Sequence, residues 1–286
     1  MACKNNLGDT MRSCFRGRSV LVLALSLFPI LSCAGTSEKL GRALEECDSP
    51  GVRAALEAGA DPNRLKPRPL DRLLRSGCDN MYGLAALLLD HGMDCTLQQN
   101  DVYHLTIVPL PVVDLLLSSG AAVDSRWTGY HGATALMLVA RDPGRSDMVR
   151  LLLERGADPL LTDDDGNTAL HYLFRHTGRG PEQHRTEVDL ESLSALLEAR
   201  ADVNACNAKD QSVLYVALYA LGEERAAGFV TKSAWENTSG PKPRYERPST
   251  ARRESIEDAA RILLQKGAKL QPDSPYFQEL ISELRE

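Results

Sequence analysis

The sequence is poor in aromatic side chains, which make up 5% of its 286 residues, and it carries no excess of positive charge. A Leu- and Ala-rich chain with few aromatics favours short helices over a β-sandwich. The formal net charge of −6 argues against nucleic acid as a partner, because neutralising phosphates requires clustered Lys and Arg. Hydrophobic residues at 43% and charged residues at 25% are ordinary proportions for a folded domain.

The sequence also lacks the short motifs that mark common enzyme and metal sites. It contains no Gly-x-Ser-x-Gly, no phosphate-binding loop and no Cys-x-x-Cys. Residues 163–166, Asp-Asp-Asp-Gly, resemble the start of a calcium loop but lack the alternating carboxylates and distant Glu of an EF-hand, so we interpret them as a hairpin tip. We therefore expect a protein without enzymatic activity, metal, cofactor or small-molecule substrate.

The N-terminus has the pattern of an export signal. Three Arg residues between positions 12 and 18 precede an apolar run at 20–31, which is too short to cross a bilayer comfortably. The run ends in Ile-Leu-Ser-Cys-Ala, with the cysteine at Cys33. This ending resembles the lipobox of bacterial lipoproteins, in which the cysteine is lipidated and becomes the new N-terminus.

The lipoprotein resemblance implies a signal peptide at residues 1–32, lipidation at Cys33 and a short tether at 33–40. It also implies attachment to the bacterial cell envelope, facing the periplasm, and Ala34 in place of Asp favours the outer membrane over the inner. The alternative is an ordinary secretory signal or anchor helix that happens to contain Cys33. Translation could start at Met1 or at Met11.

A phrase typical of a helix end recurs six times along the chain. A Leu-rich run is followed by Gly and then by a small residue, and Gly suits the left-handed residue that ends a helix. In the fifth copy Arg200 takes the place of Gly, so we expect that turn to be strained or differently shaped. The six copies lie at residues 54–63, 87–94, 115–121, 151–159, 196–204 and 262–269.

A second phrase precedes some of these helices. Its best copy is residues 165–171, Asp-Gly-Asn-Thr-Ala-Leu-His, and weaker copies lie at 132–137 and 210–215. Together the two phrases resemble the ankyrin repeat. The resemblance implies an all-α ankyrin-repeat solenoid of about six helix-turn-helix repeats with hairpin loops, over residues 41–286. Neighbouring repeats would bury the Leu runs that one helix pair cannot cover alone.

Individual residues take on roles within this resemblance. Thr134, Thr168 and Ser212 fall where a hydroxyl caps a helix, and His171 falls where the family uses a histidine to stabilise the helix. The 67 residues from Arg200 to Gly267 imply an insertion at about 223–254, rich in Pro and charge. The aromatic residues within it leave open whether it is a binding arm or a passive expansion.

Cysteine placement leaves one disulfide open. Cys47 and Cys78 fall near the inter-helix turns of adjacent repeats, and a bridge between them would persist in an oxidising compartment. Whether the two are bridged is not decided by the sequence. Cys95 is expected to be a small buried residue, Cys206 is expected on an exposed hairpin, and their repeats lie too far apart to pair.

The ankyrin resemblance further implies a binding face made of hairpin tips and the exposed ends of inner helices. Exposed aromatic and Arg side chains are the types that carry interface energy, although each one alone is also consistent with a solvated surface. The predicted partner-binding residues are Trp127, Tyr130, His131, Arg141, Asp142, Asp164, Asp165, Arg175, His176, Lys209 and Tyr219.

A lipid anchor combined with ankyrin repeats resembles the periplasmic immunity lipoproteins that neutralise lipase effectors of type VI secretion. This resemblance implies a protein partner, with the membrane engaged only through the N-terminal lipid. Two alternatives stay open at this point. One is a periplasmic scaffold that docks or protects an envelope enzyme, and the other is a secreted effector that binds a host protein.

Overall fold

The computed structural model describes residues 35–94, 106–175, 187–222 and 250–285. The chain divides into two compact units, Met1–Cys95 and Thr96–Glu286, which we call the N-terminal unit and the C-terminal unit. Several predicted features lie outside the described residues: the signal peptide at 1–32, the lipidation site Cys33, Cys95, His176 and most of the insertion, residues 223–249.

The N-terminal unit consists of two consecutive helix pairs within its described part. Helix α1 covers residues 35–45, followed by α2 (Ser49–Glu57), α3 (Pro69–Ser76) and α4 (Met81–Asp90). Proline occupies the first turn of both α2 and α3, where its fixed φ suits a helix start. Helix α4 packs against both of them. The core of the unit is formed by leucine and valine side chains: Leu40, Leu44, Val52, Leu56, Leu73, Leu84 and Leu88.

The predicted tether at residues 33–40 is wrong over its described part. Residues 35–40 are the first turns of α1, and Leu40 is fully buried in the core of the unit. The small and polar residues of this stretch hide the helix in the sequence, because only Leu40 marks its buried side.

Besides residues 106–107, which are also helical, the C-terminal unit contains eight helices in its described part. They are α5 (Leu110–Ser118), α6 (Ala135–Ala140), α7 (Ser146–Glu154), α8 (Ala169–Phe174), α9 (Leu190–Glu198), α10 (residues 213–222), α11 (Thr250–Gln265) and α12 (Pro275–Arg285). The first helix of a pair packs on the first helix of the next, as α6 does on α8. Second helices pack in the same way along the series α5, α7, α9 and α11. This alternation is the stacking of an ankyrin-repeat solenoid.

Short hairpins precede the first helix of a pair. Strands β1 (Arg126–Trp127) and β2 (Ala133–Thr134) are antiparallel, with Trp127 opposite Ala133. In the last repeat the hairpin is reduced to a single bridge between Cys206 and Ser212.

The turns after the second helices confirm the role predicted for glycine. The five Gly residues in these turns have φ between 80° and 100°. Arg200 has φ 64°, so the chain keeps the same left-handed turn there at a non-Gly residue. The expectation of strain is met, whereas that of a different turn shape is not.

The predicted helix caps are also present. The backbone N–H of Met137 lies 3.5 Å from Thr134 Oγ1, and that of Tyr215 donates to Ser212 Oγ at 3.2 Å. Thr168 caps α8 together with His171, whose Nδ1 accepts from the Thr168 backbone N–H at 3.2 Å.

One boundary and one helix differ from the sequence prediction. Helix α11 begins at Thr250, so residues 250–254 belong to a helix and not to the insertion. This first turn is rich in Arg and Glu, which hid its helical pattern, although Arg252 is buried. Helix α12, which buries Phe277, Leu280, Ile281 and Leu284, is not indicated by the repeat phrases.

Candidate functional site

The hairpin tips of the C-terminal unit form a hydrogen-bonded row. The backbone N–H of Asp164 donates to the carbonyl of His131 at 2.8 Å, and that of Ala208 donates to the carbonyl of Asp165 at 2.8 Å. Gly166 permits this approach: its φ is 78°, and a Cβ there would lie 2.7 Å from the Ala208 nitrogen. The tips of three successive repeats are therefore fixed relative to one another by their backbones.

A rigid aromatic platform lies at the first of these tips. The rings of Trp127 and Tyr130 stack with centroids 5.6 Å apart. Arg141, at the end of α6, donates to the Tyr130 hydroxyl at 2.7 Å, and its guanidinium carbon lies 5.4 Å from the centroid of the same ring. Trp, Tyr and Arg are the residue types enriched at binding hot spots. Here they are held together before any partner binds.

Asp163 connects the second tip to helix α8. Its carboxylate is buried and accepts from the backbone N–H groups of Asp165 at 3.0 Å and Asn167 at 2.7 Å. It also accepts from the Tyr172 hydroxyl at 2.8 Å and from Arg175 at 3.2 Å. One carboxylate thus sets the shape of the tip and the direction of the Arg175 side chain.

Arg175 also lies over an aromatic ring, in this case the buried ring of Tyr172. The guanidinium of Arg175 lies 4.9 Å from the centroid of the Tyr172 ring, as Arg141 lies over Tyr130. Burial and the hydrogen bond to Asp163 raise the pKa of Tyr172 well above its usual value, so its hydroxyl stays protonated as a donor.

The structure brings most of the predicted binding residues together. Tyr130 contacts His131 edge to face with centroids 6.1 Å apart, and His131 Nδ1 lies 3.7 Å from Asp165 Oδ2 on the next tip. Asp142 pairs with Arg141 at 3.4 Å, and Asp164 is held by the backbone row. Trp127, Tyr130, His131, Arg141, Asp142, Asp164, Asp165 and Arg175 thus share one face of two adjacent repeats.

Two further predicted residues lie on the next repeat. Lys209 is exposed at the third tip, where its backbone N–H donates to Asn207 Oδ1 at 3.0 Å. Tyr219 is exposed on α10, and its ring stacks on Tyr215 with centroids 6.5 Å apart. Tyr219 occupies the repeat position that corresponds to Arg141 and Arg175. His176 lies outside the described residues, so its place on this face stays a prediction.

His171 has a structural role. It is fully buried, its Nε2 lies 3.1 Å from the carbonyl of Gln211 in the next repeat, and its Nδ1 lies 2.9 Å from Thr168 Oγ1. Burial lowers the pKa of His171. The neutral ring, with Nδ1 accepting and Nε2–H donating, therefore joins two repeats.

Asp163 and Tyr172 position this face, but the sequence pattern does not single them out. The run of three Asp predicts one exposed hairpin tip, but its first member is buried while Asp164 and Asp165 are exposed. The available signal was the aromatic Tyr172 directly after His171, since a hydroxyl buried in a helix needs an acceptor nearby.

The structure joins Cys47 and Cys78 in a disulfide bond within the N-terminal unit. Cys206 is a free, exposed cysteine, and partial burial together with Asp210 and Asp202 raises the pKa of its thiol. Among the described residues, no group of His, Cys, Asp and Glu is arranged to hold a metal ion. The helices of the described part also include none with the length and apolar character that a bilayer crossing needs.

Comparison with known proteins identifies the repeat. Residues 116–173 match the family model for ankyrin repeats in many copies. Over 145 residues, 49% of this chain, the sequence is 32% identical to the human Ankyrin repeat and SOCS box protein 6. Over 82 residues, 29% of this chain, it is 35% identical to the putative ankyrin repeat protein L92 of Acanthamoeba polyphaga mimivirus. The matches span 33% and 17% of those proteins' own lengths.

A solved structure shows the same fold. It is described as the predatory endopeptidase Bd0816 from Bdellovibrio bacteriovorus in complex with the immunity protein Bd3460. The similar chain aligns with a TM-score of 0.51 and 22% identity, over 71% of this chain and 99% of its own length. The all-α ankyrin-repeat fold predicted from the sequence is thereby confirmed: the chain carries ankyrin repeats.

Proposed function

We propose that the chain is a protein-binding ankyrin module of the bacterial envelope that acts as an immunity protein by binding and neutralising a toxic effector enzyme. The observation that carries this proposal is the preformed platform of Trp127, Tyr130 and Arg141 beside the bonded row of tips. A face that is ordered before binding loses little conformational freedom on association, so more of its contact energy appears as affinity.

Binding, and not catalysis, fits the polar groups of this face. The buried Asp163 and His171 are engaged by hydrogen bonds from their own and the adjacent repeat. Their arrangement serves to fix the exposed side chains around them. We therefore propose that the protein has no enzymatic activity of its own.

Two lines of similarity support an effector as the partner. The similar solved fold comes from a complex of an immunity protein with an endopeptidase. The lipobox-like N-terminus with ankyrin repeats resembles immunity lipoproteins against lipase effectors. We propose a lipase, because a lipid anchor at Cys33 would hold the inhibitor at the surface where a phospholipase acts.

The test uses the enzyme encoded by the gene next to this one, mixed with the purified chain. We expect Arg141→Ala to weaken binding at least about tenfold, with a parallel loss of inhibition, because it removes a central platform residue. The matched control is Arg150→Ala, which removes an exposed Arg of the second helix of the same repeat. Equal effects of the two substitutions, or binding without inhibition, would overturn the proposal.

The anchor is tested separately by membrane fractionation of cells that express the full chain. We expect Cys33→Ala to release the protein from the membrane. Cys14→Ala, which changes a cysteine before the apolar run, should leave it attached. The disulfide supports an exported location, because such bonds persist mainly in oxidising compartments. Membrane attachment of Cys33→Ala would remove the anchor from the proposal and leave the binding face untouched.

A further inference from the structure

The disulfide of the N-terminal unit joins two corresponding turns. Cys47 lies between α1 and α2, and Cys78 lies between α3 and α4, with their Cα atoms 5.6 Å apart. The bond thus connects the two helix pairs of this unit at their inter-helix turns, across a sequence separation of 31 residues.

Turn geometry alone does not account for a cysteine at position 47. Cys47 has φ 56°, in the left-handed region that favours glycine, and the corresponding turn of the next pair uses Gly77 at φ 65°. A glycine at position 47 would make the same turn with less strain. The cysteine is explained by the bond it forms.

Only one of the two bonded cysteines is accessible to a reagent in solvent. Cys47 is exposed, whereas Cys78 is buried, with 6% of its surface accessible, and Ser76 Oγ lies 3.0 Å from its sulfur. A small thiol can reach the sulfur of Cys47 from solvent, and Cys78 is then the leaving thiolate. The C-terminal unit offers no comparable bond in its described part, where Cys206 is free.

The unit is small enough to depend on this cross-link. Its described part has two helix pairs, and the core of so small a unit supplies little net stability, so one cross-link is a large part of the total. A disulfide removes conformational freedom from the unfolded chain, and this effect increases with the length of the closed loop. The link therefore counts for more here than it would in the longer C-terminal stack.

We propose that the Cys47–Cys78 bond is a redox-sensitive switch for the order of the N-terminal unit. With the bond formed the two helix pairs are held together, and with it reduced the unit opens while the C-terminal unit stays folded. The protein would then complete its fold only after it leaves a reducing compartment.

Reduction of the disulfide by a dithiol takes two thiol–disulfide exchange steps. One thiolate attacks Cys47 Sγ, the bond between the two sulfurs breaks, and the Cys78 thiolate takes a proton. The second thiol of the dithiol then attacks the mixed disulfide and releases Cys47 as a thiol. The dithiol becomes a cyclic disulfide, and two electrons and two protons pass to the protein.

The test is hydrogen exchange of the full chain with and without dithiothreitol, read by mass spectrometry. We expect the slowest amides of residues 35–94 to exchange roughly 100- to 1000-fold faster after reduction, as expected for opening a loop of this length. Amides of residues 110–222 in the described part should keep their rates. Alkylation before and after reduction measures the bond itself.

Three variants separate the bond from the backbone. Cys47→Ser with Cys78→Ser should exchange fast in the N-terminal unit and no longer respond to dithiothreitol. Cys47→Gly with Cys78→Ser restores the favoured turn residue, and it should still exchange fast if the bond is what matters. Cys206→Ser should respond like the unmodified chain.

Slow exchange in the Gly variant would overturn the proposal by assigning the effect to the turn. Unchanged exchange of the reduced chain, or equal acceleration in both units, would also overturn it. So would complete alkylation of Cys47 and Cys78 in unreduced protein isolated from the envelope.

Discussion

The two units are built from the same helix pairs but are held together by different bonds. In the N-terminal unit a disulfide links the inter-helix turns, and Arg72 donates to the carbonyls of Pro67 at 3.1 Å and Lys66 at 2.9 Å. In the C-terminal unit successive tips are joined through their backbones, and a buried carboxylate gathers donors from one repeat. The covalent link can be broken by reduction, whereas the hydrogen-bonded network of the C-terminal unit is broken only by substituting its residues.

The largest expected effect is the loss of the network around Asp163. In Asp163→Ala the Tyr172 hydroxyl and the Arg175 guanidinium lose an acceptor, and we expect the C-terminal unit to lose about 3 kcal/mol of unfolding free energy. Denaturant unfolding measures this loss. Asp164→Ala, at the exposed neighbouring position, is the control and should change it by less than about 0.5 kcal/mol. A similar loss of unfolding free energy in both variants would show that the buried carboxylate stabilises the unit no more than an exposed one.

Acid should weaken the C-terminal unit through His171. Burial lowers the pKa of this residue below its ordinary 6.5, so its contribution to stability is complete above pH 6.5 and is lost as the pH falls. The loss from one such group is at most about 1.4 kcal/mol per pH unit. Unfolding measured between pH 7.5 and 5 should show this loss of stability.

His171→Gln should be less stable at pH 7.5 and lack this pH dependence. The same change at exposed His91 should keep it, and a His171→Gln curve parallel to the unmodified one would contradict the assignment.

One repeat lacks a hydrogen bond that the corresponding turns of other repeats make, and restoring this bond should stabilise the C-terminal unit. Asn63 and Asn204 each accept the backbone N–H of the next turn, from Asp94 at 2.7 Å and Lys269 at 2.8 Å. Leu160 occupies the same position, four residues after the turn residue Gly156. Its side chain is 55% exposed and offers no acceptor to the backbone N–H of Asp202. We expect Leu160→Asn to raise the unfolding free energy of the C-terminal unit by about 1 kcal/mol. Leu160→Ala is the control, and an equal gain there would assign the effect to removal of an exposed leucine.

The smallest expected effect concerns the same bond one repeat earlier. Asp124 accepts the backbone N–H of Asp158 at 3.1 Å, and its pKa is raised by burial and by the charge of Asp158. Its ionisation therefore costs stability as the pH rises through that pKa. Asp124→Asn keeps the acceptor without the charge. We expect a gain of about 0.3 kcal/mol at pH 7, since solvent screens the site, and no gain at pH 3. Asn204→Asp should lower the unfolding free energy at pH 7. A lower unfolding free energy in Asp124→Asn would contradict the destabilising role assigned to the charge of Asp124.

The fold could be predicted because its signals are local. Leu-rich runs, the left-handed glycine and the capping hydroxyls each depend on a few adjacent residues, and the structure has them as predicted. The shared face of Trp127, Tyr130 and Arg141 also follows from repeat position, although the sequence does not give their mutual contacts.

The missed features depend on contacts that a linear pattern does not show. Asp163 differs from Asp164 only in the direction of its side chain, which is decided by Tyr172 and Arg175 nine and twelve positions later. The bond between Cys47 and Cys78 depends on a 5.6 Å approach of two turns, which spacing alone leaves open. Helix α12 has a readable apolar pattern but contains no copy of either repeat phrase, so the repeats do not indicate it.

The row of hairpin tips has a consequence for how this protein can change over time. Its joints run from main chain to main chain, at His131 with Asp164 and at Asp165 with Ala208, so they make no demand on the chemistry of those side chains. Apart from Gly166, whose missing side chain allows the close approach of the second and third tips, the exposed residues at the tips can therefore change without breaking these backbone hydrogen bonds. At the tips, the backbone atoms hold the repeats together, and the side chains of the same residues are left to contact a partner.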